Sequence, residues 1–413
     1  MRGSSGRTFV PPEEDELETG ALHGRRAITL RRVLIRHLVI GGLRSFPPEP
    51  ARVPLAPLTL VFGPNSAGKS SLLSVLPMMA QTAAHPDVLT MSGDLVEGGS
   101  FRMAVHRHDP ETEMTLGFGW LSDDARDREA VVAFRWDRDR RAAVRSRTTV
   151  VDEGASVTLA GQRPSWPADA SAELIRQMAD EVWTVLDQVY FVGPMRARAQ
   201  GATQVGQGIE DYVGPAGEEI AAILDASPEL LAEVNHWCDR LGLGYHVRMV
   251  APISEAVIAT AGELAVLALV DVRSDPPILV SSRAVGYGIG QLLPIIVQAL
   301  LARRGLIIVE QPEVHLHPRL QAAVGDLFVD TVTAGRAQLL VETHSEHLVL
   351  RVLRRVREGL LDPADVAILY VDLDDEGRAF VRRLEVDADG DLADGWPGGF
   401  FDDRLAEVLG GRS

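Results

Sequence analysis

The residue pair with the clearest chemistry is Lys69 and Ser70, which close the string GPNSAGKS that begins at Gly63. It satisfies G-x-x-x-x-G-K-[ST], follows the apolar run LTLVF and opens the helix-like run SLLSVLPMM. That is the context in which the pattern forms a phosphate-binding loop. Gly63 and Gly68 let the backbone curl so that N–H groups face a β-phosphate, and the helix start adds positive potential. Lys69 is expected to bridge the β- and γ-phosphates, and Ser70 to ligate Mg²⁺. The expected nucleotide-binding set is Gly63, Pro64, Asn65, Ser66, Ala67, Gly68, Lys69, Ser70 and Ser71.

Further chemistry lies in the second half of the chain. RGLIIVEQPEVHLHP carries four apolar residues, Leu306 to Val309, into Glu310. A carboxylate at the end of such a buried strand can hold Mg²⁺ through water. LLVETHSEH delivers His344 in the same manner, where an imidazole can sense the γ-phosphate. Between the two regions, Gly286, Gly288 and Gly290 precede a helical run. The string falls short of the dinucleotide-binding G-x-G-x-x-G, because Gln291 stands where the third glycine belongs.

These residues need elements to hold them. Residues 1–28 are polar and read as a disordered arm. A nucleotide core is expected from residues 29–90 and 265–384. A β lobe is expected at 93–165, where MTLGFGW, AVVAFRW and SVTLA are separated by turn residues, and a helical lobe at 170–245. Residues 385–413 form a short C-terminal segment containing WPGGFFDD. The lone cysteine, Cys238, excludes an internal disulfide and reads as packing. No apolar run is long enough to span a membrane and no secretory h-region is present, so a cytoplasmic protein is expected.

The net charge of −17 argues against a uniformly basic nucleic-acid surface. Two local basic runs remain, RWDRDRRAAVRSR at 135–147 and Arg351, Arg354, Arg355 and Arg357 at helical spacing. Both read more readily as solvated faces than as a DNA site. Asp372, Asp374 and Asp375 suit a surface hairpin, because too few residues follow for a nuclease domain. The histidines His315, His317, His344 and His347 have metal-compatible spacings, but a nucleotide site accounts for them without a transition metal. Gln81 follows the phosphate loop too closely to be a strong candidate for a Mg²⁺ or water contact.

Taken in order, the glycine loop, EQPEVHLHP and THS resemble bacterial ABC-like ATPases of the AAA family related to SMC, RecF and OLD proteins. LRSF (Leu43 to Phe46), VYFVGPMRA and VGPAGEEIAAIL extend the likeness over nearly the whole chain from about residue 29. WPGGFFDD is similar to a short uncharacterised domain in one branch of them. The resemblance implies an α/β fold: an ABC-ATPase-like P-loop head with a mixed sheet, an antiparallel β lobe and a helical lobe. It implies ATP and Mg²⁺ as ligands, with Arg44 touching the nucleotide. It also implies a head-to-tail homodimer in which the signature loop, Gly286, Gly288, Gly290 and Gln291, completes the partner's site, with His317 at the interface. A separately encoded effector or nuclease, a DNA transaction, phage defence and genome maintenance are the contexts it suggests. Two departures bear on catalysis. Gly290 replaces the signature serine, and Gln311 replaces the water-activating glutamate, leaving Glu313 as a substitute base. Slow hydrolysis is therefore expected, and Gln311→Glu is expected to raise it.

Overall fold

A strand that is apolar along its length needs cover on both faces, and LTLVF, LIIVE and QLLVE obtain it by lying side by side. The computed structural model describes residues 34–83, 85–160, 170–196, 203–204, 211–250, 264–281, 285–393 and 395–397. The expected N-terminal arm and most of the C-terminal WPGGFFDD string lie outside the described residues.

The first strands are β1 (Leu34–Gly41), β2 (Ala51–Pro54) and β3 (Leu58–Phe62), followed by helices α1 (Lys69–Leu73), α2 (Val75–Thr82) and α3 (Phe101–Ala104). The β lobe holds β4 (Met114–Leu121), β5 (Asp127–Asp137), β6 (Ala142–Asp152) and β7 (Ala155–Ala160). Next come α4 (Ala170–Leu186), β8 (Val189–Val192), β9 (Thr203–Gln204), α5 (Ile220–Ala226), α6 (Pro228–Leu241), β10 (Tyr245–Val250), β11 (Leu264–Asp271) and β12 (Ile278–Ser281). The chain continues through α7 (Tyr287–Leu301), β13 (Leu306–Glu310), α8 (Pro318–Thr333), β14 (Gln338–Glu342), α9 (Glu346–Arg357), β15 (Val366–Leu373) and β16 (Ala379–Leu384).

The central sheet has the order β16-β15-β3-β14-β13-β8, parallel except for β16. Its strands divide their side chains between two cores in the period-two manner of a pleated sheet. Leu58, Leu60, Phe62, Ile307, Val309, Leu339 and Val341 face a core shared with α5 to α9. Val61, Leu306, Ile308, Leu340, Leu369 and Val371 face the other, shared with α1, α2 and the β lobe.

Three features differ from the sequence reading. Residues 34–54 pair in the antiparallel sheet, order β2-β1-β4-β5-β6-β7, so β3 is the first strand of the central sheet. Arg36 and His37 make β1 unsuited to burial on both faces, whereas an antiparallel sheet can leave one face solvated. His37 and Arg52 both meet the carboxylate of Glu129, joining β1 and β2 to β5. Strand β8 lies inside the expected helical lobe yet forms the edge of the central sheet, since four apolar residues carry too little periodicity to be distinguished. The helix after the phosphate loop is interrupted at Ser74, because Pro77 has no N–H for the carbonyl of Leu73.

Two smaller motifs find structural places. The DLDDEGR string turns the β15–β16 hairpin, with Asp374 accepting from the backbone of Glu376 and Arg378. Gln81 braces the loop after α2, donating to the Thr90 carbonyl and accepting from the Val96 N–H.

Candidate functional site

Parallel strands present their C-terminal ends at one edge of a sheet, and the loops leaving that edge are where α/β proteins place ligands. Four neighbouring strands meet there: β3 runs into the phosphate loop, β14 into Thr343 and His344, β13 into Gln311, and β8 into the loop holding Arg196.

Sequence and packing shape the loop jointly. Gly63 has φ 148°, and a Cβ there would lie 2.0 Å from the Val371 carbonyl oxygen, so glycine is required. LRSF packs beneath the loop, with the buried Phe46 ring 3.1 Å and Ser45 Oγ 3.0 Å from where a Gly68 Cβ would stand. Arg44 is exposed beside them at φ 53°, its carbonyl paired with His106 Nδ1 at 2.9 Å. Its guanidinium reaches Ser71 Oγ at 3.5 Å. Pro64, Asn65 and Ser66 are exposed, whereas Ala67 is buried.

Lys69 is 4% exposed and donates to the carbonyls of Gly63 at 3.1 Å and Pro64 at 2.7 Å. Burial lowers its pKa, while the nearby carboxylate of Glu342 pulls the other way. Ser70 donates its hydroxyl to Glu342 Oε2 at 2.9 Å. Glu342 and Glu310 are cross-strand partners in the β13–β14 register. Burial and the adjacent Glu342 charge push Glu310 up to about 7, against the opposing pull of Arg44 and Arg196. Burial also raises Glu342, opposed first by the hydroxyl of Ser70. Two carboxylates raised together beside a serine hydroxyl form a site whose excess negative charge a divalent cation would relieve.

Gln311 adopts φ 45°, an uncommon conformation for a side chain of this kind, and its N–H donates to the Glu342 carbonyl at 2.9 Å. Glu313 is already occupied: Oε1 accepts from the His344 N–H at 2.6 Å and Oε2 from Thr343 Oγ1 at 2.8 Å. Burial lowers the pKa of His344, with the Lys69 charge adding to the effect. The neutral imidazole is thus favoured.

Two residues here were not singled out from sequence. Glu342 ends an apolar strand just as Glu310 does, so the same pattern reading applies to it. Arg196 gives no such signal. It is 4% exposed and its guanidinium donates to the carbonyls of Gly193 at 2.9 Å, Gln291 at 3.0 Å, Gln311 at 3.0 Å and also Glu310. Burial lowers it to about 10.

The expected signature residues divide in two. Gln291 is 5% exposed and its amide donates to the Arg196 carbonyl at 2.9 Å, so it serves the link to β8. Gly286 is exposed at the start of α7, and with Gly288 it lines an open cavity of about 340 Å³ together with Tyr245, His317 and Arg319. Gly290 lies within the first turn of the same helix. His317 caps α8 by accepting from the Arg319 N–H at 3.2 Å. A larger apolar cavity of about 570 Å³, bordered by Met79, Phe134 and Trp183, includes none of the phosphate-loop residues.

Comparison with known proteins bears on the fold. Residues 253–351 match the family described as "AAA domain, putative AbiEii toxin, Type IV TA system", and residues 361–409 match one described as "Protein of unknown function (DUF3696)". A search of curated proteins found no match. Among solved structures, an Smc head bound to the C-winged helix domain of ScpA is 14% identical, with 86% of this chain and 98% of that one covered at a TM-score of 0.50. The SMC head domain from Thermotoga maritima is 12% identical, with 85% and 99% covered and a TM-score of 0.43. The chain thus has the mixed α/β, ABC-ATPase-like fold of an Smc head, and residues 253–351 match an AAA domain. No helix among the described residues is long and apolar enough to cross a membrane.

Proposed function

We propose that this chain binds ATP with Mg²⁺, hydrolyses it slowly and closes on it as a head-to-tail homodimer, thereby driving or gating a partner. The observation that carries the reading is the convergence of Lys69 and Ser70 on the same sheet edge as Glu310, Glu342 and His344. Lys69 bonds to two loop carbonyls, and phosphate oxygens would take their place as acceptors. Ser70 and Glu310 would hold the cation, which supplies charge neutralisation for the phosphates. Gly63 to Ser71 would wrap the phosphates, and Arg44 would approach them from the neighbouring loop. The exposed Gly286 and half-buried Gly288, sharing a cavity with His317, suit a surface presented to the nucleotide of a second copy.

A second reading is an ATP-gated switch with negligible hydrolysis that signals to a separately encoded effector. It is favoured by the absence of a carboxylate at position 311 and by the engagement of both Glu313 oxygens. Steady-state turnover against a Lys69→Ala control separates the two readings.

The binding assignment itself is tested by calorimetry. Lys69→Ala is expected to lose ATP binding while keeping its far-UV circular dichroism and melting transition. Equal affinity in the variant would sink the assignment.

A further inference from the structure

We propose that Glu342 on β14 is the carboxylate that orients Ser70 toward the cation, and that glutamine at 311 keeps a further carboxylate away from it. The inference rests on the nucleotide-site reading above and adds to it a positioning residue.

Three observations support it. First, a serine hydroxyl has one proton and two lone pairs. With its proton committed to Glu342 Oε2 at 2.9 Å, the Ser70 oxygen retains lone pairs for a metal. Ligands at metal sites are commonly oriented by such an outer carboxylate. Secondly, Glu342 is the more enclosed of the two register partners. It is 2% exposed and holds Ser70, while the backbone carbonyl of Glu310 is gripped by Arg196 from the loop after β8.

Thirdly, Gln311 lies directly against Glu342, its backbone N–H donating to the Glu342 carbonyl at 2.9 Å. An amide is neutral there, whereas a glutamate would add a third carboxylate beside Glu310 and Glu342. Glutamine at 311 and glutamate at 342 therefore form a matched pair, in which negative charge sits one strand over from its expected position. On this proposal Gln311→Glu would do more than restore a missing group.

The test titrates ATP into the full-length chain by calorimetry, with and without Mg²⁺, for wild type, Glu342→Gln, Ser70→Ala and the double variant. Wild type is expected to bind ATP more tightly with Mg²⁺. Glu342→Gln should cut that metal-dependent gain by about tenfold, with metal-free ATP affinity retained. The double variant should lose no more than the worse single one, because both act through one hydrogen bond. A Glu342→Gln protein with the wild-type metal-dependent gain, or losses that multiply in the double variant, would overturn the proposal. A wild type that binds no ATP would overturn the nucleotide reading beneath it as well. If Glu342→Gln does not fold, Gln311→Glu carries the test. It should melt below wild type without metal and recover with Mn²⁺ or Mg²⁺, and melting at or above wild type without metal would refute the matched pair.

Discussion

Burial and the neighbouring Glu342 raise Glu310 to about 7, from an ordinary value of 4.5. The folded chain therefore keeps this proton over a pH range in which the unfolded chain has lost it. Between those two values the folded state binds more protons, so stability is highest near the lower one and falls as pH climbs through the upper one. Metal-free wild type is expected to melt at a lower temperature at pH 7.5 than at pH 5.5, and Glu310→Gln to show a shallower decline. Identical slopes for the two proteins would remove Glu310 as a source of the effect. A bound cation should flatten the wild-type profile too, since it stabilises the ionised form.

At the scale of elements, Arg196 joins the first turn of α7 to the ends of β8 and β13. Its guanidinium serves four carbonyls, and its own carbonyl receives the amide of Gln291. Arg196→Ala would strand buried acceptors, at a cost of about 3 kcal/mol. The expected result is a lower urea midpoint. Arg196→Lys should recover less than half of the loss, because an ammonium cannot span the same carbonyls as a planar fork. A wild-type midpoint in the alanine variant would show that the link between α7 and β13 is carried elsewhere. Helix α9 is tied down differently: Ser345 caps it by accepting from the Leu348 N–H, and Arg351 and Arg355 pair with Asp326 of α8.

For the molecule as a whole, the two basic runs pair with acidic partners. Arg135 and Arg147 meet Glu113, Arg138 meets Glu111, and Arg145 meets Asp87, while Arg354 and Arg357 pair with Glu358 and Asp391. With a net charge of −17, these contacts favour a solvated face over a phosphate-backbone track. Assembly is the larger question. If Gly286 and Gly288 serve the nucleotide of a second copy, a non-hydrolysable ATP analogue with Mg²⁺ should shift wild type toward a dimer in light scattering, and Lys69→Ala should not respond. The shift should be modest, because Gly290 offers no hydroxyl to the γ-phosphate. A wild type that stays monomeric at tens of micromolar with analogue bound would refute the sandwich dimer.

By itself the sequence determined the phosphate loop, the apolar strands that end at Glu310 and Glu342, and the α/β class of the fold. Each is written in a short span: GPNSAGKS between a strand and a helix, or an apolar run closed by an acid. Local geometry follows directly from such patterns, because glycine freedom and strand burial act over a few residues. Tertiary structure alone decided which distant groups meet. Ser70 and Glu342 are 272 positions apart, and Arg196 lies 95 positions from Gln291. Tertiary pairing also moved β1 and β2 into the antiparallel sheet, placed β8 at the core's edge, and turned Gln291 inward. Those outcomes depend on sheet order and on the pairing of buried polar groups, which no local pattern along the chain encodes.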